Sequence, residues 1–370
     1  MTKPVGPARA HAEINLAAYA ANVRTLKSRL GDAQLMCVVK ADAYGHGASE
    51  IAATARRAGA DWLGVAFVDE ALDLRAHGDR GPLLAWLLND ADDLERALAA
   101  DVDLSVASVE QLHRVLTAAA AVQRVARVHI EVDTGLSRGG VQPQAWAEMF
   151  EAAQGIDVIS IWSHFACADE PAHPANDAQL AEFRRALALA ASEGVIPQLR
   201  HIANSAATLL RPDSHFDLVR VGMASYGVSP MNDDASQFGL TPVMTVKAAV
   251  AHIREVPAGV GVSYGHRYVT ERPTRLALVP LGYADGLPRA GTNVAHVFIG
   301  GTRFVVSGTI CMDQFVVDVG DHDVRVGDEV IVFGSGGSTA EEWARDCGTI
   351  GYEMTTRIGA RLAKQFVGRV

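Results

Sequence analysis

A lysine in an unusual place is where the chemistry of this chain begins. Lys40 closes a short apolar run, Leu35–Val39, and Tyr44 and His46 follow within the next six positions. Other apolar runs end in the same way. One leads into Asp133 and then Gly135-Leu136-Ser137-Arg138, a second into Ser163-His164, a third into Asn204-Ser205, and a fourth carries Arg220 and Gly222. Taken singly, each has an ordinary explanation: a lysine ending a strand is usually solvated, and a tyrosine usually packs. Taken together they describe a reactive set. A lysine at the end of a buried strand is partly desolvated, which favours its neutral, nucleophilic form. Such an amine can form an imine with a carbonyl. Ser205, the backbone N–H near Gly222 and Tyr44 suit an anion such as a phosphate. An aldehyde, a ring and a phosphate in one molecule describe pyridoxal phosphate, in which the lysine carries the aldehyde and the ring acts as electron sink. No Asp, Glu and His cluster has the spacing of metal ligands, so no metal is expected.

These residues need a scaffold that brings strand ends together. Eight apolar runs occur in the first 225 residues: Leu35–Val39, Trp62–Phe67, Leu83–Leu88, Leu104–Ala107, Val128–Val132, Val158–Trp162, Leu199–Ala203 and Phe216–Val221. They read as strands buried on both faces. Segments with helical spacing lie between them, among them Glu50–Ala58, Ala91–Ala99, Val109–Ala119 and Gln179–Ala191. Alternation of this kind implies parallel strands with helical crossovers. Eight such units favour a closed (β/α)8 barrel, whose active sites sit at the C-terminal strand ends. An open doubly wound sheet is the alternative, but Val39-Lys40-Ala41-Asp42 stands where its glycine fingerprint belongs.

The rhythm stops near Ser229-Pro230-Met231-Asn232-Asp233-Asp234, a polar, turn-rich stretch. Strand-like runs follow: Met244–Val256, Arg275–Leu281, Val294–Ile299, Arg303–Ile310, Phe315–Val319 and Glu329–Phe333. One late helix is predicted after Ser338 or Thr339 as cap, with Glu341 and Glu342 in its first turn. The reading is a barrel domain over residues 1–235 and a smaller, mainly β domain over 236–370.

Composition excludes several classes. The 370 residues are 49% hydrophobic and 21% charged, which argues for a globular chain rather than a disordered one. The formal net charge of −10, with no basic block, disfavours nucleic-acid or anionic-membrane partners. No stretch has the apolar length of a membrane helix. Cys37, Cys167, Cys311 and Cys347 form no C-x-x-C pair, and MTKPVGPARAHAE contains no apolar run of signal-peptide type. A cytoplasmic location is therefore expected.

The local sequences also resemble a known family. Val38-Val39-Lys40-Ala41-Asp42-Ala43-Tyr44-Gly45-His46-Gly47 is similar to the cofactor-attachment segment of bacterial alanine racemases, pyridoxal-phosphate enzymes of fold type III. The likeness recurs at Val132-Asp133-Thr134-Gly135-Leu136-Ser137-Arg138, Ser163-His164-Phe165-Ala166, His201-Ile202-Ala203-Asn204-Ser205-Ala206 and Val219-Arg220-Val221-Gly222-Met223. It continues at Val262-Ser263-Tyr264-Gly265, Leu281-Gly282-Tyr283-Ala284-Asp285-Gly286 and Cys311-Met312-Asp313-Gln314. Eight segments in one order form a highly specific pattern.

The resemblance implies interconversion of L- and D-alanine by two bases on opposite faces of a planar intermediate. Lys40 is then one base and the imine lysine, and Tyr264 of a partner subunit is the other, in a homodimer with shared active sites. Arg220 faces the ring nitrogen and keeps it unprotonated, which weakens the electron sink and suppresses side reactions. Arg138 and Met312 contact the substrate. His164 links Arg220 to Tyr264, and Tyr44, Ser205, Gly222, Met223 and Tyr352 complete the cofactor set. The family role is to supply D-alanine for peptidoglycan. Two positions depart from the pattern. Glu131 stands where many relatives have a lysine that can be carbamylated, and it is expected to give Arg138 a permanent negative charge. Ile358-Gly359-Ala360-Arg361 lacks a tyrosine that some relatives place near the entrance, which leaves strictness for alanine over serine or larger amino acids open. A decarboxylase is disfavoured by Arg220, and a non-catalytic cofactor carrier by the presence of the second domain.

Overall fold

A computed structural model describes residues 9–368. The chain separates into two compact units. One contains Ala20–Ala43 and Ala48–Ser225; the other contains Tyr44–Gly47, the chain from Tyr226 onward, and the N-terminal segment through Tyr19. The strand β1 (Ala10–Asn15) belongs to the second unit, where a division at 235/236 places it in the first.

The first unit is the eight-stranded parallel barrel. Its strands are β2 (Gln34–Val38), β3 (Trp62–Val65), β4 (Leu83–Ala85), β5 (Asp103–Val106), β6 (Val128–Glu131), β7 (Val158–Trp162), β8 (Leu199–His201) and β9 (Leu218–Val221). Each pairs with its sequence neighbour from β2 to β8, and β9 returns to β2. Two backbone bonds close the seam between the ends of β8 and β9: Asp217 N to Arg200 O at 3.1 Å and Arg220 N to Ala203 O at 3.0 Å. The strands read as apolar runs because both faces are covered, and the central cluster comprises Met36, Trp62, Leu84, Ile159 and Leu218. The crossover helices start on side-chain caps: Ser108 accepts from Gln111 N, Asp93 from Arg96 N and Asn204 from Ala207 N.

The second unit is built from β1, β10 (Met244–Ala249), β11 (His252–Val256), β12 (Gly261–Val262), β13 (Tyr268–Val269), β14 (Thr274–Val279), β15 (His296–Ile299), β16 (Thr302–Val305), β17 (Phe315–Asp318), β18 (Glu329–Phe333) and β19 (Ala363–Val367). A six-stranded sheet runs β16-β15-β18-β10-β1-β19, beside a three-stranded sheet β11-β14-β17 and a ribbon β12-β13. The run Met244–Val256 is two strands rather than one. Val250 N turns to Asp328 O and Ala251 N to Leu278 O, so the chain changes sheets between β10 and β11. The late helix Ala340–Cys347 starts at Thr339, in a capping box with Glu342, and ends at Gly348, whose φ of 69° suits glycine. Among the described residues, no helix is long and apolar enough to cross a membrane.

Candidate active site

Lys40 lies two residues beyond the end of β2, where Val39 N bonds to Gly64 O of β3. The chain then does something the sequence does not announce. Ala41, Asp42, Ala43 and Tyr44 hold φ values of 52°, 52°, 53° and 54°, and Gly45 follows at 83°. This is a left-handed helical turn, costing roughly 1–2 kcal/mol per non-glycine residue. Two carboxylates brace it. Glu70 accepts from Ala41 N at 2.6 Å and also from Ala66 N and Phe67 N, while Asp42 Oδ1 accepts from Ala48 N at 2.8 Å. Gly45 is obligatory, since a Cβ there would lie 2.3 Å from Thr355 O.

The Lys40 amine sits 5.8 Å from the centre of the Trp86 ring. Its pKa is lowered, first by burial and then by the positive charge of Arg138, with Glu70 pulling the other way. A lowered value leaves more of the amine with a free electron pair at neutral pH.

Arg138 is carried on the loop after β6. Asp133 Oδ1 organises that loop by accepting from Gly135 N at 2.9 Å and Ser137 N at 3.1 Å. Glu131, at the end of β6, is pushed up to about 7 by burial, against the pull of Arg220 and Arg138. Its negative charge is therefore conditional on pH rather than permanent. Gln179 ties the β6 and β7 loops by donating to Thr134 Oγ1 and His164 O while accepting from Ala166 N.

Arg220, on β9, is buried at 5% exposure. Burial pushes its pKa down to about 9, Glu131 raises it and Arg138 lowers it further, so it remains a cation at neutral pH. Its guanidinium donates to His201 Nδ1 at 2.7 Å, Ser163 O at 2.8 Å and His164 Nδ1 at 3.0 Å. His164 is held neutral, its pKa driven well below the usual value by burial, Arg220, Arg138 and Lys40.

Ser205 opens the helix Ser205–Leu210. Its Oγ accepts from Gly222 N at 3.0 Å and Ala224 N at 3.4 Å. With two donors aimed at the oxygen, the hydroxyl proton is left to give, and an anion is a natural acceptor. Met223, next in sequence, is fully buried. These residues fit pyridoxal phosphate in kind: a desolvated amine for the aldehyde, a buried guanidinium, and a hydroxyl committed to donating.

In the second unit, Tyr44 and Tyr352 come together, with ring centres 6.2 Å apart, and Tyr226 lies 5.0 Å from Tyr44. Burial raises the Tyr44 phenol, and Tyr352 adds to the shift. Tyr264 starts the short turn Tyr264–His266, fixed by Thr309 Oγ1 donating to Tyr264 O at 2.7 Å. Its side chain is 72% exposed, and Met312 is 52% exposed. Met312 O accepts from Ala284 N at 3.0 Å, and Arg361 pairs with the adjacent Asp313 at 2.8 Å.

Sequence reasoning brought Lys40, Arg138, His164 and Arg220 to one rim, set Glu131 beside Arg138, and missed the groups that hold them. Glu70 and Trp86 flank Lys40 without any local motif. Asp103, His129, Ser160 and His201 form a buried polar set behind Arg220. The available signal was that His129, Ser160 and His201 each interrupt an apolar run on three successive strands.

Fold and site together define a class, an enzyme with a parallel barrel and a second, strand-rich unit. Residues 14–230 match the family model described as alanine racemase, N-terminal domain, and residues 243–366 match alanine racemase, C-terminal domain. The alanine racemase of Thermobifida fusca is 50% identical over 370 residues, covering 98% of this chain and 99% of that one. The alanine racemase of D-cycloserine-producing Streptomyces lavendulae superposes with a TM-score of 0.97 at 49% identity, covering 99% of this chain and 98% of that one. The alanine racemase of Bartonella henselae, solved with covalently bound pyridoxal phosphate, superposes with a TM-score of 0.90 at 31% identity, covering 98% and 100% of the two chains. The chain belongs to the alanine racemase family, and racemisation of alanine is its activity.

Proposed function

We propose that this chain racemises alanine with pyridoxal phosphate held on Lys40, and that Lys40 and Tyr264 are the two proton-transferring groups. The observation that carries the reading is the Lys40 amine, desolvated and flanked by cationic Arg138, with its pKa lowered. Bound pyridoxal phosphate supplies an aldehyde for that amine and a ring that withdraws electrons from the substrate Cα. Lys40 Nζ accepts or returns a proton on one side of Cα, and Tyr264 Oη does so on the other. A positioned acid–base pair of this kind contributes on the order of 10²–10⁴-fold per transfer.

Arg220 donates toward the ring nitrogen and, by remaining a cation, leaves that nitrogen without a proton. Neutral His164 accepts from Arg220 and orients it. Ser205 would donate a hydrogen bond from its hydroxyl to the phosphate, supported by Gly222 and Met223, and Tyr44 and Tyr352 would complete the binding set. Arg138 receives the substrate carboxylate, and Met312 borders the substrate. Tyr264 acts from a second copy of the chain in a homodimer; its high exposure and that of Met312 fit a surface completed by a partner. Work in the cytoplasm on D-alanine for peptidoglycan fits this activity and the four free thiols.

The test is borohydride reduction of the cofactor-loaded protein followed by peptide mapping. The pyridoxyl label is expected on Lys40. A label elsewhere, or a protein that takes up no cofactor, overturns the reading.

A further inference from the structure

Five consecutive barrel strands each contribute one buried polar side chain to a single line of hydrogen bonds. Asp103 on β5 meets His129 on β6 at 3.1 Å. His129 Nδ1 meets Ser160 Oγ on β7 at 2.6 Å, and Ser160 Oγ meets His201 Nε2 on β8 at 2.9 Å. His201 Nδ1 meets Arg220 on β9 at 2.7 Å. None of the five is more than 5% exposed. Aromatic walls enclose the line: Trp62 packs edge-on to His129, Trp162 stacks on His201 with 8° between the rings, and the Arg220 guanidinium lies 4.8 Å from the Trp162 ring centre.

The directions of three of the four bonds in this line follow from its two ends. A guanidinium can only donate, and an ionised carboxylate can only accept. Arg220 therefore donates a hydrogen bond to His201 Nδ1, which puts the His201 hydrogen on Nε2. That N–H donates to Ser160 Oγ, and in the relay the Ser160 hydroxyl donates onward to His129 Nδ1. The His129 hydrogen is then on Nε2 and goes to Asp103. His201 must be neutral for this pattern, and burial together with the Arg220 charge drives it well below its usual pKa. Bonds aligned in this way polarise one another in a low-dielectric interior. Asp103 is itself anchored at the far end by Arg127, at 2.8 Å.

We propose that Asp103, His129, Ser160 and His201 are positioning residues for racemisation, a buried relay that fixes the aim of the Arg220 guanidinium. The proposal rests on the functional reading above, in which Arg220 faces the cofactor ring. It extends that role to four residues that touch neither substrate nor cofactor. A polar cluster that merely fills the core has no reason to be continuous across five strands.

The first test needs no substitution. Nitrogen-15 NMR of histidine-labelled protein at neutral pH should show His129 and His201 both neutral and both protonated on Nε2. Either ring charged, or protonated on Nδ1, overturns the relay. The second test cuts it in the middle. Ser160→Ala removes both hydrogen bonds at the middle of the line and is expected to lower kcat about tenfold. KM for alanine should stay near the wild-type value, because Arg138 and Met312 are untouched. The absorbance maximum of the bound cofactor should move, and Ser160→Thr should restore both kcat and absorbance. A folded Ser160→Ala protein with wild-type kcat and absorbance overturns the proposal while leaving the functional reading intact. Wild-type protein that takes no pyridoxal phosphate onto Lys40 overturns both.

Discussion

Replacing Glu131 with glutamine separates the cost of burying a charge from the benefit of pairing it. The Glu131 carboxyl rises from an ordinary 4.5 to about 7, with burial outweighing the pull of Arg220 and Arg138. An acid with a raised folded-state pKa holds its proton more tightly when folded than when unfolded. Its contribution is therefore most favourable below about 4.5 and is lost progressively as pH rises to about 7, after which it levels off. At about 1.4 kcal/mol per pH unit across that window, ionised Glu131 costs the fold at most about 3 kcal/mol. Glutamine is neutral at every pH, so Glu131→Gln should match wild type near pH 4.5 and exceed it by up to about 3 kcal/mol at pH 8.5. Urea midpoints at several pH values, at one protein concentration and one excess of pyridoxal phosphate, read this difference. Catalysis should move the opposite way. Without the carboxylate, Arg138 and Arg220 face each other uncompensated, and KM for alanine should rise severalfold at pH 8.5. A stability difference that does not change with pH would be a packing effect and would refute the electrostatic account. A variant less stable than wild type at pH 8.5 would show that pairing with the two arginines outweighs burial.

Two other outcomes follow from the same geometry. Ala41 is exposed yet held at φ 52°, so Ala41→Gly removes strain without losing packing and should stabilise the fold by up to about 1 kcal/mol. The looser turn should aim Lys40 less well and lower kcat; unfolding midpoints and kcat measured together check this, and a destabilised variant contradicts it. Lys40→Ala and Tyr264→Phe chains, each nearly inactive alone, should recover activity when mixed, because a hybrid dimer rebuilds one complete site. Proven hybrids without activity would count against Tyr264 acting across subunits.

What could be read from the sequence divides along the range of the interactions involved. All eight barrel strands were visible because burial on both faces leaves a continuous apolar run, and their rim residues followed from where each run stops. The helix after Thr339 was visible because its cap is local. Strand β1 alternates apolar and polar residues over Ala-His-Ala-Glu-Ile-Asn, but it stands outside the β/α rhythm, and its partners β10 and β19 lie hundreds of positions away. The left-handed turn after Lys40 carries alanines and a tyrosine that announce no such conformation; Gly45 and Gly47 were the only hints. Glu70 reaches Ala41 across 29 positions, and the line from Asp103 to Arg220 spans more than a hundred. No spacing rule joins such residues.

The titrating groups at the rim share one direction of change. Burial moves Lys40 and His164 toward their neutral forms, and Glu131 likewise. It acts on Arg220 too, but a guanidinium brought down to about 9 is still protonated at neutral pH. The environment that frees the Lys40 electron pair therefore leaves one persistent buried cation, Arg220, at a position where water hardly solvates it. Such a charge is tolerated only when its hydrogen bonds are met and an opposite charge lies within reach. Glu131 meets that need only once it has lost its proton. The hydrogen bonds of Arg220 are met whatever the state of the Glu131 proton, by His201 Nδ1, His164 Nδ1 and Ser163 O. A barrel interior that looks over-furnished with polar groups is thus the counterpart of a dry, reactive lysine at its rim.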